Sequence, residues 1–145
     1  MLGACQEASM RGSDALVAEE AIADTVRVLL DGFVTSSERL EFPIDQLDAD
    51  LTWYSHGRRW DRAEFEDVLE GNQGAIKESR SSFVGEPDIR VLGPTAAVAA
   101  YRIIETLVDT AGAEYAFPHA VTQVWMNGPS GWRLAHVHVS SGGEE

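Results

Sequence analysis

Apolar and polar residues alternate most clearly from Val121 to Ser140, where the pattern predicts two strands joined by a turn. Asn127-Gly128-Pro129-Ser130-Gly131 gathers residues that supply positive φ or preset a bend, and apolar residues resume on both sides, as in a hairpin. Successive side chains of a strand point to opposite faces. Plain alternation therefore puts Trp132, Leu134, His136, His138 and Ser140 on one face, with Arg133, Ala135, Val137 and Val139 on the other. Across the turn, Val121, Gln123 and Trp125 form one row, and Thr122, Val124 and Met126 the opposite one. The face carrying imidazoles, an amide and indoles reads as the wall of a pocket.

Upstream the period changes. Ala15, Ala18, Ile22, Val26, Leu29 and Phe33 recur at steps of three and four behind Ser13 and Asp14, which are good N-cap types, so an amphipathic helix of about five turns is expected. Thr35-Ser36-Ser37 breaks it, and residues 37–48 leave room for a short second helix limited by Pro43. Residues 50–58 read as a first strand and its exit turn, with Leu51, Trp53 and Ser55 opposite Thr52, Tyr54 and His56. Asp61 followed by Glu64 has the spacing of a capping box and opens a helix carrying Phe65 and Val68. Beyond Ser81 the chain reads as strands over 82–92 (bent at Gly85-Glu86-Pro87), 96–109 and 115–127. Helices early and strands late predict an α+β domain, with helices packed on one side of a curved antiparallel sheet.

The 145 residues suit one domain, expected over 13–141, with a disordered tail or signal remnant over 1–12 and a short tail over 142–145. A formal net charge of −13 repels phosphate backbones, and the eleven Lys and Arg are scattered, so no nucleic acid is expected as a partner. No stretch approaches the roughly 20 apolar residues of a membrane span, so no membrane insertion is expected. The single cysteine, Cys5, excludes an internal disulfide. Its setting, Leu2-Gly3-Ala4-Cys5, is similar to the end of a bacterial lipoprotein signal, but only Met1 to Ala4 precede it, against the roughly 7–15 apolar residues such a signal needs. A cytoplasmic protein is expected; the alternative is an exported lipoprotein whose start lies upstream.

Ala120-Val121-Thr122-Gln123-Val124-Trp125, followed by Gly131-Trp132-Arg133-Leu134-Ala135-His136-Val137-His138-Val139-Ser140, resembles the end of the nuclear transport factor 2-like superfamily. Within it the pattern is similar to the calcium/calmodulin-dependent kinase association (hub) domains and the SnoaL-like proteins. The resemblance extends to Ile89-Arg90-Val91-Leu92-Gly93 and Ala100-Tyr101-Arg102-Ile103. It implies a cone-shaped, cystatin-like sheet with the first helix across its concave side. It does not imply one function, because the fold hosts isomerases, cyclases, dehydratases and oligomerisation hubs.

On that fold Trp53, Ser55, Tyr101, Ile103, His119, Gln123 and Trp125 are the expected ligand-binding residues of a mostly apolar cavity. Glu105 with His136 or His138 is the expected acid–base pair, suited to proton transfer beside a carbonyl. The alternative for the same residues is a set of buried polar groups that satisfy one another. His136-x-His138, with His119 and Glu105 nearby, has the donor types for zinc or iron, but two histidines at this spacing do not define a metal site, and neither metal nor cofactor is assigned. Two comparisons narrow the chemistry. Ser55 and Gln123 stand where steroid isomerases of the superfamily have their acidic groups, and Ile103 and Gln123 stand where the hubs have carboxylate-binding arginines.

The opposite sheet face, with Ala135, Val137, Val139, Thr122, Val124, Ile104 and Thr106, is expected to pair with a second copy in a homodimer. The reading is a dimeric small-molecule-binding protein with isomerase-, cyclase- or dehydratase-type acid–base chemistry. The alternative is a homo-oligomerisation module without catalytic activity.

Overall fold

The computed structural model describes residues 2–38, 44–72 and 74–142. Helix α1 (Leu2–Glu38) is followed by a single 3-10 turn (Ile44–Gln46) and by strands β1 (Leu47–Ser55) and β2 (Arg58–Asp61). Helix α2 (Arg62–Asn72) then leads into β3 (Ile76–Phe83), β4 (Asp88–Gly93), β5 (Ala96–Asp109), β6 (Glu114–Gly128) and β7 (Gly131–Ser141). The strands form one curved, unclosed sheet in the order β2-β1-β7-β6-β5-β3, with β4 paired to the first part of β5. All pairings are antiparallel except β1 with β7. The α+β class expected from the residues is the observed one.

Local chemistry accounts for the element ends. The β1–β2 turn holds His56 at φ 53 and Gly57 at φ 71, the left-handed pair that a tight hairpin demands. His56 is thus a turn residue. The capping box closes in both directions: the Glu64 amide donates to Asp61 Oδ1 at 2.8 Å, and the Asp61 amide to Glu64 Oε1 at 3.3 Å. At the β3–β4 bend Gly85 adopts φ 77, and Arg27 of α1 reaches Glu86 Oε2 at 3.0 Å while lying over the Phe83 ring. This exposed pair orients the helix more than it stabilises it.

Burial of one face of the sheet drives the fold. Val26, Leu30, Phe33 and Val34 of α1 pack onto Leu51, Ala97, Ala99, Tyr101, Val121, Trp125, Leu134 and Val137. Ala97 pairs with Trp125, so a small side chain stands beside the largest one in the core. The second helix lies on the same side, since Phe65 stacks on Trp53 with ring centroids 4.1 Å apart. Both helices therefore cover one face, called here the covered face.

One expectation about the sheet is overturned. β6 alternates as expected, but Trp125 pairs with Leu134 while Val124 pairs with His136, leaving Ala135 as an extra residue. This bulge inverts the phase of the rest of β7. Val137 is fully buried and Val139 packs against the core, whereas His136 and His138 point to the other side. The expected inward imidazoles and outward valines are thus exchanged. The cause is local: Leu134 and Val137 are an odd number of residues apart, and both are buried.

Two further expectations concern the chain ends of the helical region. Helix α1 begins at Leu2, ahead of the Ser13 start read from its periodicity, and its side chains through residue 13 lie outside the described residues. The short helix expected within 37–48 is represented by the 3-10 turn, with residues 39–43 outside the described residues.

Candidate functional site

Three strands bring polar side chains together on the covered face. Trp125, Gln123 and Tyr101 form a buried chain: the indole N–H donates to Gln123 Oε1 at 3.0 Å, and Gln123 Nε2 donates to the Tyr101 oxygen at 3.0 Å. The direction is fixed by chemistry, because an indole nitrogen can only donate. Gln123 must turn its carbonyl toward Trp125 and its amide toward Tyr101, which leaves the Tyr101 O–H as the donor end of the chain. Burial pushes the Tyr101 hydroxyl far above the usual phenol range, with the Gln123 hydrogen bond opposing, so it remains protonated.

Next to this chain, His119 bridges β5 and β7. Its Nε2 lies 3.2 Å from Glu105 Oε1 and its Nδ1 2.8 Å from Ser141 Oγ. The His119 side chain is 14% exposed and that of Glu105 28%, so the pair is half-shielded from water. Glu105 therefore meets His119, and neither of the two histidines expected to pair with it. Ser141 was not expected here, because plain alternation put it on the other side. The Ala135 bulge brings it round to face His119.

The other expected ligand-binding residues divide as follows. Ile103 pairs with His119 and is buried in the core. Trp53 pairs with Val137 and lies between Phe65 and Phe33. Ser55 ends β1, partly buried, two residues beyond Trp53. Tyr101, Ile103, Glu105, His119, Gln123, Trp125, Trp53 and Ser55 thus share the covered face, and His136 and His138 do not.

The outer face carries two regular rows across β5, β6, β7 and β1: Val98, Val124, His136 and Thr52, then Ala100, Thr122, His138 and Tyr54. His136 Nδ1 is 2.7 Å from Thr52 Oγ1, and its ring lies 5.7 Å from that of Tyr54. A separate open groove of about 770 Å³ lies at the β6–β7 turn, lined among others by Asp45, Asp48, Arg62, Asn127 and Arg133. Nothing in the sequence pattern marks it, since its walls come from three distant segments. Among the described residues no three His, Cys, Asp or Glu side chains converge as metal donors, and no helix is long and apolar enough to cross a membrane.

Comparison with known proteins places these features. Residues 49–143 match the family model of the calcium/calmodulin dependent protein kinase II association domain. No curated protein matches the chain. Among solved structures, the association domain of C. elegans CaMKII is 20% identical with a TM-score of 0.69, covering 84% of this chain and 97% of that one. A nuclear transport factor 2 (NTF2-like) superfamily protein from Salmonella enterica is 20% identical with a TM-score of 0.66, covering 88% and 93%. A type 2 hexachlorocyclohexane dehydrochlorinase (LinA) is 7% identical with a TM-score of 0.74, covering 86% and 88%. At these identities the solved structures establish the fold alone, while the family model spans most of the chain. The chain belongs to the calcium/calmodulin dependent protein kinase II association domain family, on an NTF2-like fold.

Proposed function

We propose that the chain is a self-associating, hub-like module in which two copies pack back to back through the outer sheet face. The observation that carries this is the composition of the two outer rows. In a chain that is 24% charged, all eight positions lack Asp, Glu, Lys and Arg. Charged residues stand around them instead: Asp88 and Arg90 beside the β5 end, Arg59 beside Tyr54, and Arg102 one pair farther along β5. An uncharged centre with a charged margin is the anatomy of a protein interface, whose central residues are desolvated on binding. No described helix lies on this side, and the family is that of an association domain.

A small-molecule site on the covered face is a second reading, favoured by a different observation, the half-shielded contact of Glu105 with His119. The two readings are compatible because they use opposite faces of the sheet.

Light scattering over a range of concentrations tests the self-association. The native chain is expected to form a discrete oligomer. Val124→Glu, which sets a carboxylate in the first outer row, is expected to weaken association at least about 100-fold, since an unpaired buried charge costs roughly 3–5 kcal/mol. The far-ultraviolet circular dichroism of the variant should match the native spectrum. A native chain that stays monomeric, or a variant that assembles unchanged, contradicts the reading.

A further inference from the structure

Three polar side chains on adjacent strands of the covered face make contacts that self-association does not use. Glu105 of β5, His119 of β6 and Ser141 of β7 form one line, with His119 Nε2 3.2 Å from Glu105 Oε1 and His119 Nδ1 2.8 Å from Ser141 Oγ. An acid, an imidazole and a hydroxyl linked in that order are the parts of an activated nucleophile. We propose that Ser141, His119 and Glu105 form an acyl-transfer site for small esters with a good leaving group, such as aryl esters, in which Ser141 is acylated and His119 moves the proton. The proposal rests on reading the half-shielded Glu105–His119 contact as a small-molecule site, and adds the reaction that site performs.

The direction of the hydrogen bonds fixes each role. A carboxylate only accepts, so Glu105 takes the Nε2–H of His119 and the lone pair of the ring lies on Nδ1, where the Ser141 hydroxyl donates. The base therefore faces the nucleophile. Strand register holds the line in place: Ser141 pairs with His119, His119 pairs with Ile103, and Glu105 lies two residues beyond Ile103 on the same face. Just past Ser141 the Gly142 amide donates to the Pro118 carbonyl at 2.9 Å, and a Cβ at Gly142 would meet Pro118 Cγ at 2.8 Å. The end of β7 is thus pinned against β6 by a residue with no side chain. Ser141 is exposed while the His119 side chain is 14% exposed, so an ester reaches the hydroxyl from solvent and the imidazole stays largely screened. Phe117 stacks beside His119 with ring centroids 6.4 Å apart and offers an aryl group a face to pack on. At an exposed serine the oxyanion of the adduct is solvated by water rather than by fixed donors, and that is why the site requires a good leaving group.

The reaction balances with water as its co-reactant. The Ser141 O–H bond breaks, its proton goes to His119 Nδ1, and the freed electron pair on oxygen bonds to the ester carbonyl carbon. Collapse of the adduct breaks the bond to the leaving oxygen, which departs as a phenol with the proton from Nδ1. A water then attacks the acyl group and gives a proton to Nδ1. The Ser141 oxygen leaves, takes that proton back, and the carboxylic acid is released. In both halves the imidazolium faces Glu105.

The test uses 4-nitrophenyl acetate with the full chain, following release of nitrophenol by absorbance and locating the acetyl group by peptide mass spectrometry. The native protein is expected to release nitrophenol faster than buffer does, with the acetyl group on Ser141. Ser141→Ala, at an exposed position that leaves the fold intact, should return release to the buffer rate. His119→Gln should slow acetylation of Ser141 at least about 100-fold, as loss of a general base does. Glu105→Gln keeps an acceptor but removes the charge facing the imidazolium, so acetylation should slow while the half-saturating ester concentration is unchanged; a merely structural bridge predicts no such split. Native release at the buffer rate, release that survives Ser141→Ala, or acetylation of Ser141 that His119→Gln does not slow overturns the proposal. Binding is read separately with 4-nitroacetophenone, a ketone of similar shape without a leaving group, which should shift the His119 ring signals in the NMR spectrum of Ser141→Ala. Shifts without acetylation of the native chain overturn the acyl transfer and leave the small-molecule site standing; neither shifts nor acetylation removes both.

Discussion

Val137→Asp is expected to destroy cooperative unfolding, while Ser140→Asp, three residues along the same strand, leaves the melting transition close to native. Val137 is fully buried between Trp53 on β1 and Gln123 on β6. An unpaired carboxylate there loses its water and gains no cation, at a cost of several kcal/mol after it neutralises by taking up a proton. Domains of this size have a total stability of only about 5–15 kcal/mol. Ser140 lies exposed on the outer face beyond the two rows, where a carboxylate keeps its hydration. Thermal melts followed by circular dichroism check the pair. The reverse ranking would mean that β7 alternates without its bulge.

Trp125→Ala carries the second large effect. The side chain is completely buried at the centre of the core and is the largest group there. Removing it is expected to cost about 3–5 kcal/mol in lost burial and cavity formation. The substitution also strips the donor from Gln123 Oε1, and a buried acceptor left unpaired adds about 1–3 kcal/mol. Urea denaturation should show a midpoint far below native. Trp125→Phe keeps most of the volume and loses the donor, so its loss should be the smaller of the two, and the difference between the variants measures the packing share.

Much of this architecture was legible in the residues. Asp61 and Glu64 announced the start of α2, Gly128 and Gly131 bracketed the last turn, and alternation along β5 and β6 put Tyr101, Ile103, Glu105, His119, Gln123 and Trp125 on one face. The phase of β7 after Leu134 was not legible. A bulge at an alanine leaves no mark in a binary pattern, and imidazoles fit a pocket wall as readily as an interface. The inward and outward sets of β7 were exchanged for that reason, and with them the partner of Glu105. Alternation put Thr122, Val124 and Ile104 on the side of β5 and β6 that no described helix covers, but the β7 members of that face are His136 and His138. Ser141 and the groove at the β6–β7 turn depend on long-range placement that no local pattern encodes.

The exchange of the two sets changes the physical character of the outer face. Valines would have made its β7 part purely apolar. Imidazoles beside Thr52 and Tyr54 give it hydrogen-bonding groups of its own.

The most direct measurement is therefore the slow exchange of histidine ring carbon-bound hydrogen with deuterium, read residue by residue by mass spectrometry, on the native chain and on Val124→Glu. The account predicts that His136 and His138 are slowed in the assembled native chain relative to the variant, while His56, in its exposed turn, and His119, on the covered face, exchange alike in both. Equal rates for His136 and His138 in the two proteins, with the native chain assembled, would contradict it.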